Sequence, residues 1–290
     1  MRQRTKEFLK KIIPKWVLQF RKMYRANKRI KRKNLLCFEV HLADHCNLNC
    51  KNCSHFSPLV KENYLNVTSF QHDCQRISEL SGGILKRIRF MGGEPLLHNN
   101  ITDFLNIGRK YFPKANLEIW TNGILLPKQT LEFWETCSAK NVKINITKYP
   151  IKINRTLINN LAKQHNVKFV YPDNNTELLW VNMKLNKNGS KDIEKKFRLC
   201  DMSNECIHLC EGKLYTCPVI AYVKYLNNYF DENFKVTEND YIDIYKAKSI
   251  DEILDFLCKP IPFCKYCDIE KVCYAEWGIS KKERKEWIEE

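Results

Sequence analysis

The spacing of the cysteines is the feature that most constrains this chain. Fourteen cysteines occur in 290 residues, and eleven of them fall in two groups, at 46–53 and 200–273. The chain lacks the compact apolar core and cleavage site of a secretory signal peptide, so we expect a cytoplasmic protein. Disulfides are rare in that compartment. The two groups therefore predict metal ligands rather than disulfides.

The first group has the pattern C-x3-C-x2-C, formed by Cys46, Cys50 and Cys53. Three close thiolates suit an iron–sulfur cluster, whose cubane form takes one ligand on each iron. Three ligands leave one iron open to chelate a small molecule. A structural zinc ion completed by His45 or His55 is the alternative.

Three cysteines lie outside the two groups. Cys74 and Cys137 fall within apolar patterns of helical period, and Cys37 falls within a predicted strand. Buried thiols behave as small apolar side chains, so we expect these three to be ordinary core residues.

Positive charge is concentrated in an N-terminal arm, residues 1–34. The arm carries 14 Lys or Arg and one acid, out of a net charge of +16 for the whole chain. Apolar residues between Phe8 and Tyr24 recur at helical spacing. The pattern predicts a basic amphipathic helix that contacts the inner face of an anionic membrane, or else packs on the protein itself. Nucleic acid is a less suitable partner because no aromatic-lined basic groove follows.

Between residues 35 and 185, short β-like patterns alternate with longer helical ones. Strands are predicted at 36–42, 88–90, 117–119, 142–147 and 167–171, with a less regular sixth at 180–185, and helices at 68–81, 99–112, 127–139 and 154–165. Repeated strand–helix units predict a parallel sheet or barrel with functional groups on the loops after the strands. No run of apolar residues is long enough to predict a membrane-spanning helix.

The special residues follow these strands. They are the first cysteine group, Gly92-Gly93-Glu94-Pro95, Thr121-Asn122-Gly123 and Thr147. In this order the motifs resemble those of the radical SAM superfamily, whose signature is C-x3-C-x2-C after the first strand. Two positions depart from the family pattern. The family usually has an aromatic residue at the position of Asn52, a contact that Phe56 could supply. It usually has an Asp at the position after Thr147.

The resemblance implies an α/β fold, with residues 35–185 forming a partial (βα)6 barrel. It implies that Cys46, Cys50 and Cys53 hold a [4Fe–4S] cluster and that Glu94 accepts the methionine ammonium group of S-adenosylmethionine. The other residues implied to bind this cofactor are Gly92, Gly93, Pro95, Thr121, Asn122 and Thr147.

The second cysteine group resembles the SPASM/Twitch domains that hold auxiliary [4Fe–4S] clusters. A hairpin is predicted to turn at Glu211-Gly212, and Trp277 stands where the two-cluster form has another cysteine. We therefore expect residues 186–290 to form a small cysteine-rich domain with one auxiliary cluster. Its implied ligands are Cys200, Cys217, Cys264 and Cys267. Two clusters on eight cysteines, or a zinc ribbon that includes Cys206 and Cys210, are the alternatives.

The resemblance further implies an enzyme. A low-potential reductant such as a flavodoxin would reduce the first cluster, S-adenosylmethionine would be cleaved, and the resulting 5′-deoxyadenosyl radical would take hydrogen from a substrate. The substrate is expected to be a small molecule, a glycan or a peptide, and dehydrogenation of a sugar or surface-glycan precursor is favoured. A maturase for ribosomal peptides and a non-catalytic iron–sulfur electron carrier are the alternatives. Lys148, Tyr149 and His208 are candidate acid–base groups.

Overall fold

A computed structural model describes residues 24, 37–171, 180–182, 184–189, 192–269, 271 and 273–290. The N-terminal arm, apart from Tyr24, lies outside these residues, so its helix and its membrane contact stay predictions. Within the described residues, none of the helices combines the length and the apolar character needed to cross a membrane.

The described chain is built around one mixed sheet. Its strands are β1 (Cys37–Ala43), β2 (Arg87–Gly92), β3 (Asn116–Thr121), β4 (Lys143–Ile146), β5 (Lys168–Val170), β7 (His208–Cys210), β8 (Lys213–Tyr215) and β9 (Ile242–Asp243). They lie in the order β5-β4-β3-β2-β1-β7-β8-β9. Pairing is parallel from β5 through β1 to β7 and antiparallel from β7 to β9. The sheet stays open, which confirms the α/β class and the incomplete barrel.

Helices connect the parallel strands, as the alternating pattern predicts. They are α1 (Val67–Ser81), α2 (Ile101–Tyr111), α3 (Leu131–Ala139) and α4 (Arg155–Gln164), followed later by α5 (Ile193–Leu199), α6 (Pro218–Phe230) and α7 (Ile250–Leu257). The cap of α1 is Asn66, whose side chain accepts a hydrogen bond from the Ser69 N–H at 3.0 Å. The helix therefore begins one residue before the predicted start at residue 68, because the Asn66 oxygen satisfies the third amide of the helix.

The sixth strand forms but does not extend the barrel sheet. β6 (Trp180–Asn182) pairs antiparallel with β10 (Cys273–Ala275) in a separate two-stranded sheet. The position beside β1 is taken instead by β7, the first strand of the hairpin that turns at Glu211-Gly212. The hairpin is therefore confirmed, and it belongs to the same sheet as the first five strands.

Two groups of buried apolar side chains stabilise the fold. The larger group lies between the central strands and helices α1–α4 and α7, and includes Phe38, Phe70, Phe104 and Leu117. It also takes in Leu209 from β7, so apolar packing crosses the predicted domain boundary at residue 185. The smaller group surrounds α6 and includes Phe56, Tyr222, Phe263 and Trp287. Cys74 and Cys137 are fully buried in the larger group, as predicted for core cysteines.

Candidate metal and cofactor site

The three cysteines of the first group lie on the loop that leaves β1. Cys50 is buried, whereas Cys46 and Cys53 are half-buried. The thiols of Cys50 and Cys53 are close enough to act electrostatically on Cys46. The loop between β1 and α1 thus brings the three predicted ligands to one place at the carboxyl end of a parallel strand, where such sheets carry their sites.

Each of these sulfurs accepts hydrogen bonds. The Leu48 N–H donates to Cys46 Sγ at 3.4 Å, and backbone N–H groups of residues 55–57 donate to Cys53 Sγ. The indole Nε1–H of Trp277 donates to Cys50 Sγ at 3.2 Å. Sequence reasoning missed the role of Trp277, because residue 277 is far from the loop along the chain.

Burial raises the pKa of all three thiols, and that of Cys50 reaches about 12. A thiolate is favoured there only when positive charge compensates it. Metal ligation supplies that charge and displaces the thiol proton. The loop is therefore suited to a positively charged metal group.

The two glycines after β2 allow the cysteine loop to approach. A Cβ on Gly92 would lie 2.2 Å from the Ala43 carbonyl oxygen, and one on Gly93 would lie 2.2 Å from the His45 carbonyl oxygen. Backbone hydrogen bonds join the same segments, from Gly93 N to Ala43 O at 2.9 Å and from Glu94 N to His45 O at 3.1 Å. Both glycines are thus required for contact between two chain segments, and their implied contact with the cofactor stays a prediction.

Glu94 is a fully buried carboxylate at the end of β2. It accepts hydrogen bonds from Thr121 Oγ1 at 2.6 Å, Asn122 N at 2.9 Å and Leu96 N at 3.1 Å. All three donors are neutral, and burial raises the pKa of Glu94 to about 7 despite them. An ammonium group placed here would compensate the buried charge, so the site fits the amino group of S-adenosylmethionine.

The remaining predicted cofactor residues lie around Glu94. Thr121 and Asn122 hold its carboxylate, and Asn122 Nδ2 also donates to Asn47 Oδ1 on the cysteine loop at 2.7 Å. Pro95 opens the short 3-10 turn that follows Glu94. Thr147, at the end of β4, donates its N–H to the Thr121 carbonyl at 2.9 Å. The ends of β2 and β3 thus meet the cysteine loop, and the end of β4 is bonded to the end of β3.

The four predicted auxiliary ligands line one cavity in the C-terminal part. Its wall includes Cys200, Cys217, Cys264, Cys267, Lys196, Met202, Ser203, Thr216, Ile261, Phe263 and Ile269. The cavity is partly open to solvent. The four thiols lie within electrostatic range of one another, and burial raises the pKa of Cys217, Cys264 and Cys267. Four thiols around one cavity fit an iron–sulfur cluster.

Three other cysteines of this part do not line the cavity. Cys210 lies beside Lys224 and Glu211 at the hairpin turn. Cys258 accepts a hydrogen bond from Asn204 Nδ2 at 3.6 Å. The half-buried Cys206 lies near Glu39 and Arg89 of the central strands and within electrostatic range of Cys200 and Cys217. The Cys273 side chain lies outside the described part.

The described residues contain no group of three or more His, Cys, Asp or Glu side chains arranged around a single metal ion. His55, one of the two histidines in the zinc alternative, lies with Nδ1 2.6 Å from His41 Nε2.

His208 and Tyr149, two of the candidate acid–base residues, each contact another side chain of the protein. His208 is fully buried on β7, with Nε2 2.9 Å from Glu39 Oε2. Burial acts to raise the pKa of Glu39, but hydrogen bonds and charges from His208 and Arg89 outweigh it and lower that pKa. The Tyr149 hydroxyl donates to Cys50 Sγ, and burial raises the pKa of Tyr149 well above its usual value.

One protein-family model matches the segment that contains the first cysteine group. Residues 36–147 match the family model described as a 4Fe-4S single cluster domain. The GTP 3′,8-cyclase of Alkaliphilus oremlandii is 29% identical over 107 residues, which are 37% of this chain and 33% of the relative. That of Campylobacter fetus subsp. fetus is 23% identical over 190 residues, 65% of this chain and 55% of the relative. The chain therefore matches about a third to just over half of the length of these relatives.

Among solved structures, BtrN in complex with AdoMet and 2-DOIA aligns with a TM-score of 0.52 and 18% identity, over 81% of this chain and 93% of BtrN. At this identity the likeness establishes a shared fold. The chain is therefore similar to 4Fe-4S cluster domains over residues 36–147 and shares the fold of BtrN over most of its length.

Proposed function

We propose that the chain cleaves S-adenosylmethionine reductively at a [4Fe–4S] cluster held by Cys46, Cys50 and Cys53, and uses the product radical to modify a substrate. The observation that carries this proposal is the meeting of two features at one edge of the sheet. Three thiols lie on the loop after β1, and the buried Glu94 lies on the loop after β2, hydrogen-bonded to the first loop through its own N–H.

The residues of the chain bind and orient the cofactor. When bound, the cluster and S-adenosylmethionine together supply one-electron cleavage that yields a hydrogen-abstracting radical. Glu94 holds the ammonium group, because a charged partner stabilises a buried carboxylate more than neutral donors do. Thr121 and Asn122 fix the Glu94 carboxylate, and Asn122 also contacts the cysteine loop. The ammonium site and the cluster site are therefore held at a constant separation.

The second part of the proposal concerns the cavity lined by Cys200, Cys217, Cys264 and Cys267. A carbinol that loses one hydrogen atom still has to lose one electron and its hydroxyl proton before it becomes a ketone. The four-cysteine cavity suits an auxiliary cluster that takes this electron. We therefore favour net dehydrogenation of a sugar or surface-glycan precursor. BtrN, which shares this fold, was solved with AdoMet and the small molecule 2-DOIA, which favours a small-molecule substrate.

The basic arm indicates the cellular location at which the protein would encounter such a substrate. An arm with 14 basic residues among positions 1–34 would attract the chain to the anionic inner surface of a membrane. Lipid-linked glycan precursors are found at such surfaces. The proposed location is cytoplasmic, with peripheral membrane contact.

Metal content tests the first part. Anaerobic reconstitution should load about eight irons if each cysteine set holds one four-iron cluster. The triple variant with Cys46, Cys50 and Cys53 changed to Ala should lose about half of that iron and all cleavage of S-adenosylmethionine. Cys74→Ala, which removes a buried core thiol, is the matched control and should lose neither. Stoichiometric zinc without iron in the wild type would refute the proposal.

Isotope transfer tests the substrate class. Sugar alcohols and nucleotide sugars that carry deuterium on the carbinol carbon should transfer it to 5′-deoxyadenosine and give a ketone product. Deuterium transfer from labelled peptides, with none from labelled alcohols, would favour the maturase instead.

A further inference from the structure

The C-terminal segment is joined to the cysteine loop by a short antiparallel pairing. Lys51 N donates to Gly278 O at 2.8 Å, and Ser280 N donates to Asn49 O at 2.8 Å. Cys50 and Ile279 lie opposite each other in this pairing. The residue that precedes the paired segment, Trp277, is consequently held beside Cys50.

Trp277 is bonded to the sulfur of Cys50 rather than to a backbone atom. Its Nε1–H donates to Cys50 Sγ at 3.2 Å, and its ring is half-buried, with the Tyr149 ring centroid 6.0 Å away. The Tyr149 hydroxyl donates to the same sulfur. Cys46 Sγ accepts the N–H of Leu48 on its own loop at 3.4 Å and, at 4.0 Å, an N–H of Asn122 Nδ2. Cys50 is thus bonded by side chains that come from two distant parts of the fold.

An indole N–H can donate a hydrogen bond but cannot accept one. It therefore stabilises negative charge on the sulfur it faces. Reduction of an iron–sulfur cluster adds negative charge that is shared with the ligand sulfurs. A donor to one of those sulfurs stabilises the reduced form more than the oxidised form, which is how hydrogen bonds to sulfur set cluster potentials.

We propose that Trp277 is a positioning residue that raises the reduction potential of the cluster bound by Cys50, through its N–H bond to the Cys50 sulfur. The inference rests on the proposed function, because it requires Cys50 to be a cluster ligand. No bond of Trp277 forms or breaks; one electron passes from the external low-potential reductant to the cluster. The C-terminal segment would in this way make the first cluster easier to reduce.

The test is a redox titration of the full-length reconstituted protein. The electron paramagnetic resonance signal of the reduced cluster is recorded at each potential. The signal that changes when S-adenosylmethionine is added belongs to the cluster with an open iron. Trp277→Phe keeps an aromatic ring but lacks the N–H, and should shift the midpoint of that signal to a more negative potential with unchanged iron content. Trp120→Phe is the matched control, since Trp120 Nε1–H donates to Glu118 instead. Its midpoint should equal that of the wild type.

A second replacement separates the hydrogen bond from packing. β-(3-Benzothienyl)alanine at position 277 substitutes sulfur for the indole N–H at nearly constant shape, and should reproduce the negative shift of Trp277→Phe. A wild-type midpoint in both replacements, with iron retained, would overturn the inference and leave the proposed function intact. Loss of iron from a folded benzothienyl protein would also overturn it, because Trp277 would then hold the loop rather than tune the cluster. A wild type that binds no cluster at Cys46, Cys50 and Cys53 would instead refute the proposed function.

Discussion

The Glu94 carboxylate and the Thr121 hydroxyl lie 2.6 Å apart and join the ends of two neighbouring parallel strands. Glu94 is completely buried, and each of its hydrogen-bond donors is neutral. A buried carboxylate of this kind is unfavourable unless a cation binds beside it. The relationship therefore makes Glu94 the residue whose role in binding can be tested most directly.

Glu94→Gln should weaken binding of S-adenosylmethionine to the reconstituted protein. A hydrogen bond to a charged group contributes about 1.5–3 kcal/mol, so the dissociation constant should rise roughly ten- to a hundredfold. Equilibrium dialysis with labelled cofactor measures it. Glu118→Gln, which alters a carboxylate paired with Arg87 and Arg89, is the control. Equal affinity in Glu94→Gln and wild type would contradict the assigned role.

The same residue should give the metal-free protein a specific pH dependence. Burial raises the pKa of Glu94 from 4.5 to about 7. Between these values the folded state keeps a proton that the unfolded state has released, so stability falls as the pH rises through the window. The free energy of unfolding should fall by about 3 kcal/mol relative to Glu94→Gln across that range. Urea unfolding of both proteins at pH 4.5 and pH 7.5 measures this, and a pH-independent difference would contradict it.

Gly93→Ala should displace the cysteine loop. The added Cβ would lie 2.2 Å from the His45 carbonyl oxygen. A clash with a backbone atom cannot be relieved by a change of side-chain rotamer. We expect a loss of about 1–3 kcal/mol in unfolding free energy and lower iron loading. Gly278→Ala adds a Cβ with no atom within 4 Å and should change neither quantity. Full iron loading in Gly93→Ala would show that the loop tolerates the shift.

Cys264→Ala should separate cofactor cleavage from substrate turnover. This thiol lies in the four-cysteine cavity, away from the loop after β1. The variant should lose about half of its iron and all product formation, yet still cleave S-adenosylmethionine slowly when given a strong reductant. Cys210→Ala, beside the hairpin turn, should retain all of its iron. Loss of cleavage from Cys264→Ala with the first cluster intact would contradict this division of roles, and loss of iron from Cys210→Ala would favour two auxiliary clusters.

Deletion of residues 1–33 should remove binding to anionic liposomes without changing the iron content. The reason is that the deleted segment carries nearly all of the net positive charge. Cosedimentation with vesicles that contain anionic lipid measures the effect, and neutral vesicles serve as the comparison. Undiminished binding by the shortened chain would show that another surface contacts the membrane.

Much of the fold was predictable because its causes are local. Alternating apolar residues predict β1 to β5, and helical spacing predicts α1 to α4, since both patterns follow from the geometry of a single segment. The spacing of Cys46, Cys50 and Cys53 likewise places three ligands on one loop. Strand ends carry Glu94, Thr121 and Thr147, and parallel strands bring such ends to the same edge of a sheet.

The tertiary structure decided what depends on contacts between distant segments. It paired β6 with β10, placed β7 beside β1, and held Trp277 against Cys50. It also showed that Gly93 is needed for contact with the backbone of His45. The periodic pattern of apolar residues in a segment does not predict such pairings, because they depend on how buried surfaces of distant segments fit together. The sequence by itself therefore determined the motifs and their order, and only packing determined which groups surround them.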